Sequence, residues 1–248
     1  MNDALAPATT ENPLFRLNLI HDFELRCAGE PVRMSPSSQR LVGFVALHDR
    51  PVRRVKVSAT LWTDSLEDRA SASLRSALWR VPAPRGESVL GASSTHVWLS
   101  ARVWVDLHDA IARARRLLSS APADLSELNV ARELAFFGGD VLSGWYEDWL
   151  VLERERFHTL RLQVLDKFCD QLCAHGRYGE ALQLGQAAVG AEPLRESAHR
   201  LIIRAHLGEG NVAAAMQQYR WYERMLSDEL GTVPSRAMLA LAGSLNGR

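Results

Sequence analysis

The run Gly176-Arg-Tyr-Gly-Glu-Ala181-Leu182 recurs 34 residues later as Gly210-Asn-Val-Ala-Ala-Ala215-Met216. That spacing is the period of stacked helix–turn–helix pairs, in which no single pair can bury its own apolar face. Small alanines at Ala181 and Ala215 let the paired helices approach closely. From Asp106 onward the chain is nearly all helical pattern, with candidate helices over 106–119, 126–137, 147–174, 178–191, 194–207, 212–230 and 235–245. Proline or glycine stands at most of the joints. Stacked pairs of this kind leave a concave groove, which in such arrays usually holds protein.

The front of the chain has a different grammar. Residues 1–13 are small, polar and proline-containing, and read as a disordered tail. Phe15, Leu17 and Leu19 alternate, as do Phe23 and Leu25, which reads as two strands. A turn at Ala28-Gly29-Glu30-Pro31 leads to a short strand at Val32–Met34. Ser35-Pro36 opens a first helix, with Leu41, Phe44, Val45 and Leu47-His48 on its apolar face, and Pro51 stops it. A second helix is expected over 54–62 with Val55, Ala59 and Trp62 inward, and Asp64–Asp68 should cap a third over 69–81. Residues 88–92 and 96–100 around Ser93-Ser94-Thr95 read as a hairpin, and Val103-Trp104-Val105 as one more strand. Trp62 and Trp104 are expected in the core. Strands, three helices, hairpin is the element order of a winged helix-turn-helix. The fold class is therefore mostly α: an N-terminal winged helix over 14–105, then an all-α tetratricopeptide-like domain over 106–248.

The third helix carries the main functional signal. At 100° per residue, Ala77, Leu78 and Val81 fall within about 60° of Leu74 and form an apolar stripe. The opposite side holds Arg69, Ala72, Ser76, Trp79 and Arg80, flanked by Ser73 and Arg75, and no acid occurs between Arg69 and Arg85. Solvated helix faces usually mix both signs of charge. This one suits a helix laid in the major groove of double-stranded DNA, with Arg69, Ser73, Arg75, Ser76, Trp79 and Arg80 as base-reading candidates. Trp79 points away from the stripe; contact with sugar, contact with a thymine methyl, and packing under the wing all remain open. Ser37, Ser38 and Arg40 at the first helix, and Arg53, Arg54 and Lys56 at the second, are placed for phosphates, where helix N-termini assist. Ser94, Thr95 and His96 form the wing tip; it lacks arginine, and its contribution should be weak.

Charge and composition narrow the field further. Basic and acidic residues balance at 29 each, yet residues 14–86 hold twelve Lys/Arg against seven Asp/Glu, a balance of +5, while 118–248 hold thirteen against seventeen, a balance of −4. Lys56 and Lys167 are the only lysines. Arginine suits bidentate contacts to phosphate and guanine; a genomic base bias toward arginine codons would produce the same excess. Neither lysine follows a glycine, so there is no P-loop. Three cysteines exclude a disulfide scaffold and fit a reducing compartment. Cys169, Cys173 and His175 lack a fourth metal ligand nearby. No His-Glu-x-x-His or Gly-x-Ser-x-Gly spacing occurs, and no nucleophile, base and oxyanion site converges. The expectation is a non-enzyme without metal or cofactor, cytoplasmic and nucleoid-associated, with no secretory signal and no membrane span.

Several motifs together carry a resemblance: Thr60-Leu61-Trp62, the run from Ser73 to Arg80, Val105-Asp106-Leu107, Pro193-Leu194-Arg195-Glu196, Gln217-Gln218-Tyr219 and Asp228-Glu229-Leu230-Gly231. Over residues 14–245 the chain resembles the Streptomyces antibiotic regulatory protein family in its short form, a winged helix followed by a bacterial transcriptional activator domain. The resemblance implies a regulator that binds promoter direct repeats as a pair of subunits, recruits RNA polymerase through its sigma or alpha subunit, and activates a secondary-metabolite (often antibiotic) gene cluster. Larger relatives add an ATPase module. Two departures stand out: Ser-Ser-Thr-His at the wing tip, where basic and glycine residues are common, and Trp79, where a small polar residue is common. The competing reading is an interaction scaffold or ligand-sensing adaptor built on the tetratricopeptide-like part.

Overall fold

The alternation of Phe15, Leu17 and Leu19 becomes strand β1 (Phe15–Asn18), whose inward residues are fully buried. In the computed structural model, which describes residues 13–119 and 129–243, β1 pairs antiparallel with β2 (Glu24–Cys27) and parallel with a later strand, Val103–Val105. A two-residue strand β3 (Glu30–Pro31) edges β2, earlier than the expected 32–34. Helix α1 (Pro36–Ala46) starts where Ser35 accepts the Ser38 backbone N–H at 3.3 Å, with proline in the first turn. A second sheet joins β4 (Val52–Arg53), β5 (Leu90–Ala92) and β6 (His96–Leu99) in the order β4-β6-β5, and β7 is Val103–Val105. Between them lie α2 (Arg54–Leu61) and α3 (Glu67–Arg80). This is the winged helix-turn-helix that the element order anticipated.

Four local expectations are corrected. Strand β4 was not foreseen; it pairs Val52 with Val97, and the Arg54 N–H donates to the Thr95 carbonyl at 2.8 Å. That pairing sets the phase of α2, so Val57, Ser58 and Leu61 face inward while Val55 and Ala59 are exposed. Glu67 and Asp68 sit inside the first turn of α3 rather than capping it, where they meet the positive end of the helix dipole. Trp62 and Trp104 are half-buried, not core; the Arg16 guanidinium stands 5.1 Å over the Trp104 ring.

A stretch distant in sequence completes this unit. The compact N-terminal body runs through Asp109 and includes Val141–Glu155, whereas sequence alone put the border at 105. Val141 bridges Ile20, and the Leu142 and Ser143 N–H groups donate to the Leu19 and His21 carbonyls, each at 2.8 Å. Arg154 ties the stretch together by donating to the carbonyls of Val141 and Trp145, both at 2.7 Å, and of Leu142. Glu147 accepts from Arg40 at 2.7 Å and from the Trp149 indole at 2.9 Å, and Trp149 meets Phe44 edge-on at 5.3 Å. Asp106, at the start of α4 (Asp106–Ser119), accepts the N–H groups of Leu19 (2.8 Å) and Ile20 (3.1 Å).

The second body holds residues 110–140 and those from Arg156 on. Its helices are most of α4, α5 (Val130–Phe137), most of α6 (Asp148–Ala174), α7 (Tyr178–Ala191), α8 (Glu196–Gly208), α9 (Val212–Leu230) and α10 (Arg236–Gly243). The expected tail at 1–13 apart from Pro13, the start of the 126–137 helix and the end of the 235–245 helix fall on residues outside those described. The 34-residue repeat is structural. Gly176 and Gly210 both take the left-handed conformation before α7 and α9 (φ +73° and +76°), which a side chain would strain. Ala181 and Ala215 are fully buried, and α8 packs against both α7 and α9.

The C-terminal motifs act as pins in this stack. His199 is buried; its Nε2–H donates to the Pro193 carbonyl at 2.8 Å and its Nδ1 accepts from Gln218 at 2.8 Å. Burial holds its pKa below the usual value, so the ring is neutral. Glu196 accepts the Ser235 N–H at 2.9 Å ahead of α10, and Arg195 and Ser197 share Asp166, each at 2.7 Å.

Two outcomes test this frame. Burial pushes the Asp106 carboxyl up from 3.8 to about 6, against the N–H groups that lower it. The folded chain therefore keeps a proton that the unfolded chain releases. Asp106's contribution to stability is full below about pH 4 and is lost as pH rises through about 6. The stability of the wild type relative to Asp106→Asn should fall between pH 4 and 6, and the carboxyl carbon should titrate near 6 by NMR; a midpoint near 3.8 refutes it. Arg154→Ala leaves three carbonyls short of a donor and should cost about 1–3 kcal/mol in urea unfolding.

Candidate nucleic-acid interface

Helix α3 buries a narrow stripe. Ala70, Leu74 and Ala77 are inward, and α3 packs on α1 and α2 through them. The other side is open: Arg69, Ala72, Arg75, Ser76, Trp79 and Arg80 are exposed, and Ser73 is half-buried. Among the described residues, Arg69, Arg75 and Arg80 enter no ion pair. Beyond the first turn, which carries exposed Glu67 and Asp68, this side holds no acid, and its unpaired guanidinium groups are suited to bind an anion.

The start of α2 and the wing come together. Arg53 is exposed on β4, opposite His96 on β6. Arg54 is half-buried, and its guanidinium donates to the Ser93 carbonyl at 3.1 Å, so it fixes the wing turn. Lys56 is exposed; its Nζ donates to His48 Nε2 at 3.5 Å, while His48 Nδ1–H is held by the Phe44 carbonyl at 2.8 Å. The tip closes through the Ser93 N–H to the His96 carbonyl at 2.9 Å. Ser93 Oγ also accepts the N–H groups of Thr95 (3.3 Å) and His96 (3.0 Å). Ser94 and Thr95 are exposed, and His96, half-buried, lies 2.9 Å from the Thr95 hydroxyl. Under the tip, the Trp98 indole covers Gly91, where an added Cβ would come within 2.3 Å of it.

Two of the expected phosphate contacts are withdrawn. Ser38 is fully buried, and its hydroxyl is 2.9 Å from that of Ser35. Arg40 is committed to Glu147 through two parallel hydrogen bonds. Ser37 remains half-buried at the start of α1, its hydroxyl 3.1 Å from Ser35. The sequence did not reveal Arg54's grip on the wing, because the partner is a backbone carbonyl 39 residues away.

The other candidates resolve into packing. Cys169 and Cys173 are buried, and their thiols donate to the Ala181 and Leu201 carbonyls at 3.2 and 3.9 Å; His175 is held by the Gln171 carbonyl. Helices α6, α8 and α10 enclose a cleft of about 480 Å³ bordered by Asp166, Asp170, Arg200, Arg204 and Leu241. Among the described residues no helix is long and apolar enough to cross a membrane.

Comparison with known proteins bears on both parts of the chain. AfsR, a regulatory protein of Streptomyces coelicolor, is 33% identical over 131 residues, covering 50% of this chain and 13% of the relative. AfsR of Streptomyces griseus is 24% identical over 205 residues, covering 81% of this chain and 21% of the relative. The chain thus spans about a fifth or less of the length of these curated relatives. In fold it is similar to Mycobacterium tuberculosis EmbR, solved in complex with a low-affinity phosphopeptide, with a TM-score of 0.70 at 20% identity over 95% of this chain and 65% of that one. The family model of the bacterial transcriptional activator domain matches residues 105–245, more than half of the sequence. Behind its winged helix, then, the chain carries the domain that defines its kin: it belongs to the bacterial transcriptional activator domain family, in the form found in Streptomyces antibiotic regulatory proteins.

Proposed function

We propose that the protein is a sequence-specific double-stranded DNA-binding transcription regulator, an activator that uses α3 in the major groove. The observation that carries this reading is the exposed side of α3 from Arg69 to Arg80, which holds no acid and three arginines unpaired among the described residues. Arg69, Ser73, Arg75, Ser76, Trp79 and Arg80 form the base-reading set, with guanine the natural target of the arginines. Arg53 and Lys56 hold phosphates at the start of α2, with Ser37 at α1. Arg54 contributes chiefly by fixing Ser94, Thr95 and His96 in the wing. Affinity comes mostly from phosphate neutralisation, specificity from α3.

The helical half supplies protein contacts: pairing of two subunits on direct repeats, and recruitment of RNA polymerase through its sigma or alpha subunit. Family membership supports this division of labour, and a secondary-metabolite gene cluster is the target it favours. The protein acts in the cytoplasm on the nucleoid and needs no cofactor. The cleft between α6, α8 and α10 favours a second reading, a ligand-sensing adaptor, which a thermal-shift screen against metabolites would detect.

Base-reading and phosphate contacts separate in binding assays on a duplex selected from a random-sequence pool. Arg75→Ala and Arg80→Ala should each weaken binding to the selected duplex by about 1–3 kcal/mol and relax one base preference. Unchanged affinity for both removes them from the reading set. Arg53→Ala and Lys56→Ala should instead weaken selected and unselected duplexes alike, each lowering the salt-dependence slope by about one. A flat salt profile for the wild type would contradict phosphate neutralisation.

A further inference from the structure

Trp79 is 91% exposed, one residue before the end of α3, and only Tyr146 among the large apolar side chains described is more open to solvent. Among the described residues its ring meets no other aromatic group or cation and makes no hydrogen bond. Arg75 lies one turn before it on the same face, Ser76 beside that, and Arg80 follows directly. An indole this exposed adds nothing to the core. Its cationic surroundings also separate it from an ordinary apolar docking patch.

The chemistry of the ring limits what it recognises. An indole carries one N–H donor and no acceptor, so it cannot match the paired donor–acceptor edges that arginine reads on guanine or an amide reads on adenine. It does offer a broad apolar face. The major groove presents donors and acceptors at every base pair, but one apolar group only, the C5-methyl of thymine. We propose that Trp79 is a specificity-determining residue that selects thymine by packing its indole against that methyl, beside a guanine held by Arg75. This inference rests on the DNA-binding reading above.

The spacing adds a positional constraint. Residues four apart on a helix are separated by about 6 Å along its axis, close to two base-pair steps of about 3.4 Å each. The thymine therefore falls within about two base pairs of the guanine contacted by Arg75. Sugar or phosphate contact by the indole N–H, and contact with the polymerase, are the competing placements; neither depends on a thymine methyl.

The test uses the whole chain and a duplex selected by it from a random-sequence pool, with each thymine replaced in turn by deoxyuridine, which lacks only the methyl. Wild-type affinity should drop about fourfold at one position, the factor expected for one buried methyl-sized group. That position should lie within about two base pairs of the guanine whose preference Arg75→Ala relaxes. Trp79→Ala should bind the thymine and deoxyuridine duplexes alike, and Trp79→Leu should keep the difference. Because the side chain is exposed, circular dichroism should show both variants folded. Wild-type indifference to every deoxyuridine, with Trp79→Ala still weakened, would assign the indole to sugar or phosphate and overturn the inference. Unchanged binding by Trp79→Ala would overturn it in favour of a protein contact. Both outcomes leave the DNA-binding reading standing. If wild type enriches no sequence and Arg75→Ala and Arg80→Ala bind as it does, that reading falls, and the inference with it.

Discussion

Ala70, Leu74 and Ala77 fasten α3 to the helices beneath it, and two of the three are alanines. A helix that both holds a fold together and reads an external surface faces a conflict, because every side chain turned inward is lost to recognition. A narrow stripe of small residues eases that conflict. Close approach of the helix backbone makes up in contact what the side chains lack in area, and most of the circumference stays outside. Widening the stripe with larger residues would lift α3 away from α1 and α2. Turning it would bury Arg75 or Ser76 without a partner, which is costly for a charge.

A thin attachment of this kind calls for a firm support, and the support comes from two distant parts of the chain. Asp106 fastens the end of β1 through two backbone N–H groups, and Val141–Glu155 returns to cover α1 with Trp145, Glu147 and Trp149. Arg40 belongs to this support and not to a binding surface. Its planar fork matches the Glu147 carboxylate, so an arginine near the start of α1 is spent on holding the fold. The position of an arginine near a helix start therefore does not make it a phosphate ligand; its partner decides.

That distinction marks how far the sequence could be read. The helices were legible because a 3.6-residue period repeats over many residues: α4, α7 and α9 begin and end at the expected positions. The α3 face was legible for the same reason. Two-residue strands such as β3 and β4 carry no period, and β4 shifted the phase of α2 by pairing with a strand over forty residues away. Val55 looked buried by composition and is exposed. Ser38 and Arg40 were misread because hydroxyl and guanidinium groups look alike in sequence whether they meet solvent or a buried partner. The helix within the 141–155 return was legible from 147, but its docking had no local signature, since its partners lie more than a hundred positions earlier.

The same reasoning bears on the arginine excess. A codon bias would scatter arginine without regard to its partners. In the helical body, Arg113 meets buried Glu133, Arg177 meets Glu180, Arg195 meets Asp166 and Arg204 meets Asp170. In three of these pairs the acid stands on a neighbouring helix, and in Arg177–Glu180 on the helix that Arg177 caps, while Arg132, Arg220, Arg224 and Arg236 of the same body enter no ion pair among the described residues. On α3 and at the start of α2, Arg53, Arg69, Arg75 and Arg80 enter no ion pair among the described residues, although Asp64, Glu67 and Asp68 lie close in sequence. Unpaired arginine is thus not peculiar to α3; what sets α3 apart is that Arg69, Arg75 and Arg80 stand unpaired on the exposed side of one helix, with no acid between 69 and 80. It is this local concentration of charge, and not the total of arginines, on which the proposed DNA-binding role rests.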